Sequence, residues 1–191
     1  GFTAAYFDQT GLYAFARQPE AIHWNLVQLA RSLISIADQD ALIAILQRYA
    51  DIYEQRLIAR FLWRLGHDAP DMAAARAFVI AAVEALREGE VPIDRFFFDW
   101  RRGQRSGSLY GSEAWDKARE AAAALTLRPG ALDHAYWQGD GPCSMHIDEV
   151  EALWAAIDSG DDWAPLMAKI AAIRAMGAAH GRAAPAKGLT S

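Results

Sequence analysis

Two stretches of this chain hold side chains that could do chemistry. In DHAYWQGDGPCSMHIDE, the residues His134, Cys143, His146 and Glu149 follow a Cys-x-x-His-x-x-Glu spacing at a helix start. With His134 folding back, they could offer three or four ligands to a metal such as zinc. Structural zinc sites favour several cysteines in tight pairs, and this chain has one cysteine, so polar surface histidines on a loop and a capped helix are the preferred reading. Asp148, Glu149 and Glu151 follow Ser144, a candidate N-cap. The helix dipole stabilises carboxylates there by about 0.3–1 kcal/mol each, which accounts for them without a catalytic pair. In the second stretch Arg101, Arg102 and Arg105 alternate with Gly103 and Gly107. Such a loop could hold phosphate, but in an acidic chain a solvated loop is preferred. The chain has no phosphate-cradling glycine loop, G-x-S-x-G elbow or H-E-x-x-H helix. No catalytic, cofactor-binding or metal-binding residue is assigned from the residues themselves.

The elements that must position these side chains are helices. Ile22, Leu26, Leu29, Leu33 and Ile36 recur at three- and four-residue steps, predicting a helix from about Pro19 to Ala37. Leu42, Leu46, Tyr49, Tyr53, Leu57, Phe61 and Leu65 predict one long helix from Asp40 to Leu65, with Gly66 as a left-handed cap. Further helices are expected after Asp71, over Val91–Arg102, from Ser112 to Leu125, after Ser144, and over Asp162–Met176. Phe96, Phe97, Phe98 and Trp100 are too many for one side of a short helix, so some must meet another element; core packing is the preferred reading. No stretch alternates with period two. The fold class is therefore all-α, a bundle of about six to seven helices. Its domain is expected over 19–176, with a possible subdivision at 102–112 and a flexible tail over 177–191.

Composition narrows the function classes. A net charge of −5 argues against a nucleic-acid partner, whose phosphates need a basic footprint. No apolar run approaches the roughly 18 residues of a membrane span, so no membrane partner is expected. The lone Cys143 excludes an internal disulfide and is compatible with a cytoplasmic setting.

YFDQTGLYAFARQPEAIHWNLVQLA carries more specific information. Asp8, Gly11, Tyr13, Phe15, Gln18, Pro19, Trp24, Asn25 and Leu26 form an ordered Gly-x-Tyr, Gln-Pro, Trp-Asn-Leu series that a generic helix lacks. This series resembles the selenoprotein O-like (YdiU) family. YADIYEQRLIARFLWRLGH and IDRFFFDW agree more weakly, and the resemblance covers about Gly1 to Trp100.

The resemblance implies the helical C-terminal part of a protein-kinase-like fold, with 1–18 the remnant of an activation-type segment. Full-length members are implied to be pseudokinase-like enzymes that move AMP from ATP onto protein hydroxyls with Mg²⁺. It also implies that the family's nucleotide- and metal-binding residues precede Gly1, so none is carried to a position here. Asp8, Gly11, Tyr13, Gln18, Pro19, Trp24 and Asn25 keep structural roles, and the expected partners are an upstream kinase-like lobe and protein substrates. A chain of this kind would be silent alone and would expose an apolar patch near Gly1–Phe15. The alternative is a stand-alone helical interaction module without activity.

Overall fold

The computed structural model describes residues 10, 11 and 13–181. Among them are eight α-helices and one pair of two-residue strands, an all-α fold as the periodicity predicts. The helices are α1 (Gln18–Leu33), α2 (Gln39–Gln47), α3 (Tyr49–Leu65), α4 (Met72–Leu86), α5 (Ile93–Arg101), α6 (Glu113–Ala122), α7 (Ile147–Gly160) and α8 (Ala164–His180). The strands β1 (His67–Asp68) and β2 (Thr126–Leu127) pair antiparallel, His67 opposite Leu127. The count exceeds the expected six to seven because the long helix expected from Asp40 to Leu65 is two helices. Arg48 interrupts it: its N–H bonds the Ile45 carbonyl at 3.2 Å, an i−3 bond that tightens the turn before α3 begins.

The chain falls into two compact units, Gly1–Leu57 and Ile58–Ser191, the division lying within α3. The loop at 102–112 lies inside the second unit. In the first unit, Asp38 caps α2 by accepting the Ala41 N–H at 2.9 Å. Tyr49 ties α3 to α1: its hydroxyl donates to the Pro19 carbonyl at 2.9 Å and its ring stacks on His23, centroids 4.8 Å apart.

The second unit holds the core. Phe61, Leu62 and Leu65 of α3, Phe78 and Val79 of α4, Phe96, Phe97 and Trp100 of α5, and Trp115 of α6 form one buried cluster. α4 and α6 make the most extensive helix pair, and alanines at 75, 82 and 85 on one and 118 and 122 on the other let them approach closely. Each buried aromatic contributes about 1.5–3 kcal/mol. α5 is wrapped on two sides, since Phe98 points away from its neighbours into a second cluster with Trp137 and Ala179. The expected crowding of RFFFDW is thus resolved by packing, and residues 96–101 are all buried.

Three expectations about helix ends are corrected. Ser112 stands at the N-cap of α6, but its hydroxyl donates to Glu88 at 2.6 Å and makes no cap bond. Ser144 does not cap the next helix; its hydroxyl donates to Asp94 at 3.1 Å, and α7 starts at Ile147 behind His146. The last helix continues through Gly177 to His180, with Ala179 buried, so residues 177–180 belong to α8 and not to a tail. Residues 182–191 lie outside the described residues. Among the described residues no helix is long and apolar enough to cross a membrane.

Candidate functional site

The stripe Ile22, Leu26, Leu29 and Leu33 should make α1 a core helix, yet α1 has no buried residue. Instead this stripe and the Leu42–Leu46 side of α2 line an open apolar groove of about 720 Å³ in the first unit. Tyr49 and Tyr53 line one wall, and Gln18 and Arg56 give it its few polar edges. Ile22 is 51% exposed and Leu29 55%. Chains do not normally leave so contiguous an apolar surface open without a use for it. The groove can take an apolar helix or strand; its lining holds no carboxylate, imidazole or thiol.

The motif residues are distributed around it. Gln18 and Pro19 line the groove, whereas Trp24 and Asn25 are exposed on α1, and Tyr13 is exposed ahead of it. Gly11 has a positive φ of 70°, the turn geometry that glycine tolerates best. Asp8 lies outside the described residues. The apolar patch expected near Gly1–Phe15 falls mostly outside the described residues, and within that stretch Ala14 is buried; the open groove is a different surface, on α1 and α2.

Of the metal candidates, His134 and Glu149 are engaged elsewhere. The His134 Nδ1 accepts the Tyr136 N–H at 3.1 Å. Cys143 is half-buried, and its N–H donates to the Tyr136 hydroxyl at 3.0 Å. Glu149 pairs with Lys169 across α7 and α8, and His146 is exposed at the α7 N-cap. No group of three or more His, Cys, Asp or Glu among the described residues is placed to hold a metal ion.

The arginine loop is solvated along Gly103, Gln104 and 106–109, but its three arginine side chains turn toward acceptors inside the fold. Arg101 is buried, with Nε and Nη2 donating to the Ala131 carbonyl at 3.0 and 2.8 Å and Nη1 donating to the Arg64 carbonyl at 3.2 Å. No carboxylate accompanies it. The negative end of α3 supplies the compensation, because its last carbonyls have no helical partner of their own. Burial still pulls the Arg101 pKa down to about 10, with Arg128 adding to the effect. Arg102 donates to the Gly139 carbonyl at 2.9 Å, and Arg105 reaches the His67 ring at 2.9 Å.

Sequence reasoning did not single out Asp99, which is 3% exposed. Its Oδ2 accepts from Arg95 Nε at 2.7 Å and from the Tyr110 hydroxyl at 2.9 Å, while its Oδ1 has no partner. The i,i+4 spacing of Arg95 and Asp99 within an aromatic helix was the available signal. Burial, followed by the bond to Asp99, raises the Tyr110 pKa well above its ordinary value.

A family model described as protein adenylyltransferase SelO matches residues 1–124. Among curated proteins, the protein nucleotidyltransferase YdiU of Gloeobacter violaceus is 32% identical over 91% of this chain and 39% of its own length. The protein of that name from Synechocystis is 42% identical over 86% of this chain and 39% of its own length. That of Trichodesmium erythraeum is 30% identical over 86% of this chain and 38% of its own. The similarity therefore continues well beyond Trp100, where the motif resemblance fades. The chain spans about two fifths of the length of these relatives. No solved structure matches it significantly.

Proposed function

Because the chain belongs to the SelO family of protein adenylyltransferases, we propose that it is the helical C-terminal part of such an enzyme. The full-length protein moves AMP from ATP onto hydroxyl side chains of other proteins with Mg²⁺, in a pseudokinase-like fold. This part is silent alone, and its role is to scaffold the catalytic lobe and to present surface to the protein substrate.

The observation that carries the reading is the open groove of α1 and α2. Its walls include Gln18 and Pro19 of the family motif, and its lining is a helix stripe that in a finished domain would be core. An apolar element of the kinase-like lobe is the occupant that fits. Each Leu or Ile side chain it covers would contribute about 1.5–3 kcal/mol.

The residues described do not themselves fit ATP and Mg²⁺. Among the described residues no three acidic, imidazole or thiol groups are placed to hold a metal ion, and Arg101, Arg102 and Arg105 each bond an acceptor inside the fold. No step of nucleotide transfer is therefore routed through this chain. A cytoplasmic location goes with the same reading, as the single cysteine allows.

The test is AMP transfer from labelled ATP with Mg²⁺, run side by side on the native-length protein and on this chain. Label transferred by the former and not by the latter supports the reading. Transfer by this chain alone overturns it. Transfer by neither favours the stand-alone helical interaction module.

A further inference from the structure

His67 is buried at β1, and its two ring nitrogens have unambiguous tasks. Nδ1 lies 2.8 Å from the Leu65 carbonyl, which can only accept, so Nδ1 carries the proton. Nε2 lies 2.9 Å from Arg105 Nη2, which can only donate, so Nε2 holds a lone pair. The geometry therefore fixes the neutral ring in one tautomer. Among the described residues, the charged groups that act on the ring are cationic: Arg105 from the segment after α5, Arg101 from α5, and Arg128 from the turn after β2. Arg128 also donates to the His67 carbonyl, at 3.3 Å through Nε and 3.1 Å through Nη2, and pairs with Asp68 at 3.2 Å. Thus Asp68, the next residue in the chain, is already engaged.

Arg105 has little else to hold it. Its Nε is buried without a partner, and its guanidinium lies 5.6 Å from the centroid of the Trp100 ring. The segment it belongs to bounds a polar cavity of about 370 Å³, lined by Gln104, Ser106, Gly107 and Ser108 and walled by Asp99. Arg119 anchors the backbone on both sides of 106–109, through the Arg105 and Tyr110 carbonyls, at 2.9 and 2.8 Å.

We propose that His67 and Arg105 form a proton-operated latch on the segment 104–108. With the ring neutral, Nε2 accepts from Arg105 and holds the segment against β1. Taking up a proton on Nε2 turns the acceptor into a donor facing a second cation, so Arg105 is expelled and the segment loosens over the cavity while Arg119 keeps the backbone on both sides of 106–109 in place. Burial and the three arginines resist that proton, so the latch is closed at neutral pH and opens under acid conditions.

The test is amide hydrogen exchange of the whole chain between pH 7.5 and pH 4.5, expressed as protection so that intrinsic chemistry is removed, with ¹⁵N tautomer spectra of His67. The expected result is a fall of about tenfold in protection over 104–108, the scale of one hydrogen bond to a charged group, while α4 keeps a higher plateau. In His67→Gln, whose amide oxygen still accepts but does not titrate here, the fall should be absent. Arg105→Gln leaves the histidine intact and should leave the segment loose at both pH values. A ring protonated on Nε2 at pH 7.5 overturns the latch. So does protection that falls only in step with α4, a fall undiminished in His67→Gln, or an Arg105→Gln segment as protected as the parent's.

Discussion

A Cβ added at Gly66 would stand 3.0 Å from both Nε and Cζ of the Arg101 guanidinium. Gly66 ends α3 with a φ of 70°, and Arg101 donates to the Arg64 carbonyl, one of those this end leaves free. The two residues are 35 positions apart and make one cap. Gly66→Ala should therefore lose twice, through the left-handed backbone and through displacement of a buried arginine, by about 2–4 kcal/mol in all. Urea unfolding of the chain measures this; a loss under about 1 kcal/mol, the backbone effect alone, would mean that Arg101 moves aside freely.

Acid should weaken the fold. His180 lies between Trp63 and Trp137, ring centroids 5.4 and 5.0 Å away. Burial, then Arg101, Arg64 and Arg60, pulls its pKa from 6.5 down to about 4. Between those values the unfolded chain binds more protons than the folded one. Stability is thus full above about pH 6.5, falls as the pH drops, and stops falling on this account below about pH 4. His67 is shifted in the same direction. Unfolding free energies at pH 7.5 and 4.5 should differ by about 2 kcal/mol from His180, and His180→Gln should lose most of that difference. Equal stability at the two pH values would show that His180 is not held neutral.

Tyr110→Phe removes the hydroxyl that donates to Asp99 Oδ2 and leaves that buried carboxylate with Arg95 alone. The expected cost is about 1–3 kcal/mol, the penalty for a buried acceptor that loses a donor. Adding Asp99→Asn should make the Tyr110→Phe change cost less, which a double-mutant cycle reads directly. Additive costs would mean that the two groups are not coupled.

Leu29→Asp separates the two uses of an apolar helix stripe. Leu29 is 55% exposed, so this chain alone should change by no more than about 0.5 kcal/mol. If the proposed lobe covers the groove in the native-length protein, the same change should cost several-fold more there, and AMP transfer should fall with it. Equal, small effects in both settings would leave the groove without an internal occupant.

Much of this was legible from spacing. The three- and four-residue recurrence from Ile22 to Leu33 gave α1 its span within a few residues, and Gly66 gave the end of α3. The aromatic count in RFFFDW required two packing partners for α5, and two are found. Arg48 was not legible, because a single tightened turn leaves the apolar period of α2 and α3 unbroken. The arginines at 101, 102 and 105 were misjudged for a physical reason: carbonyls 30 or more residues away receive two of them, and backbone acceptors have no sequence signature. The groove was legible as a stripe but not as an opening, since periodicity reports which face is apolar and not whether something covers it.

The mass of this protein in its own cells, read by immunoblot with an antibody raised to the chain, decides between an enzyme part and a stand-alone module. The chain is 21.0 kDa and covers 39% of its Gloeobacter relative, so the account predicts a band at about two and a half times that mass. A band at 21 kDa would contradict it and make the helical units a protein complete without a catalytic lobe.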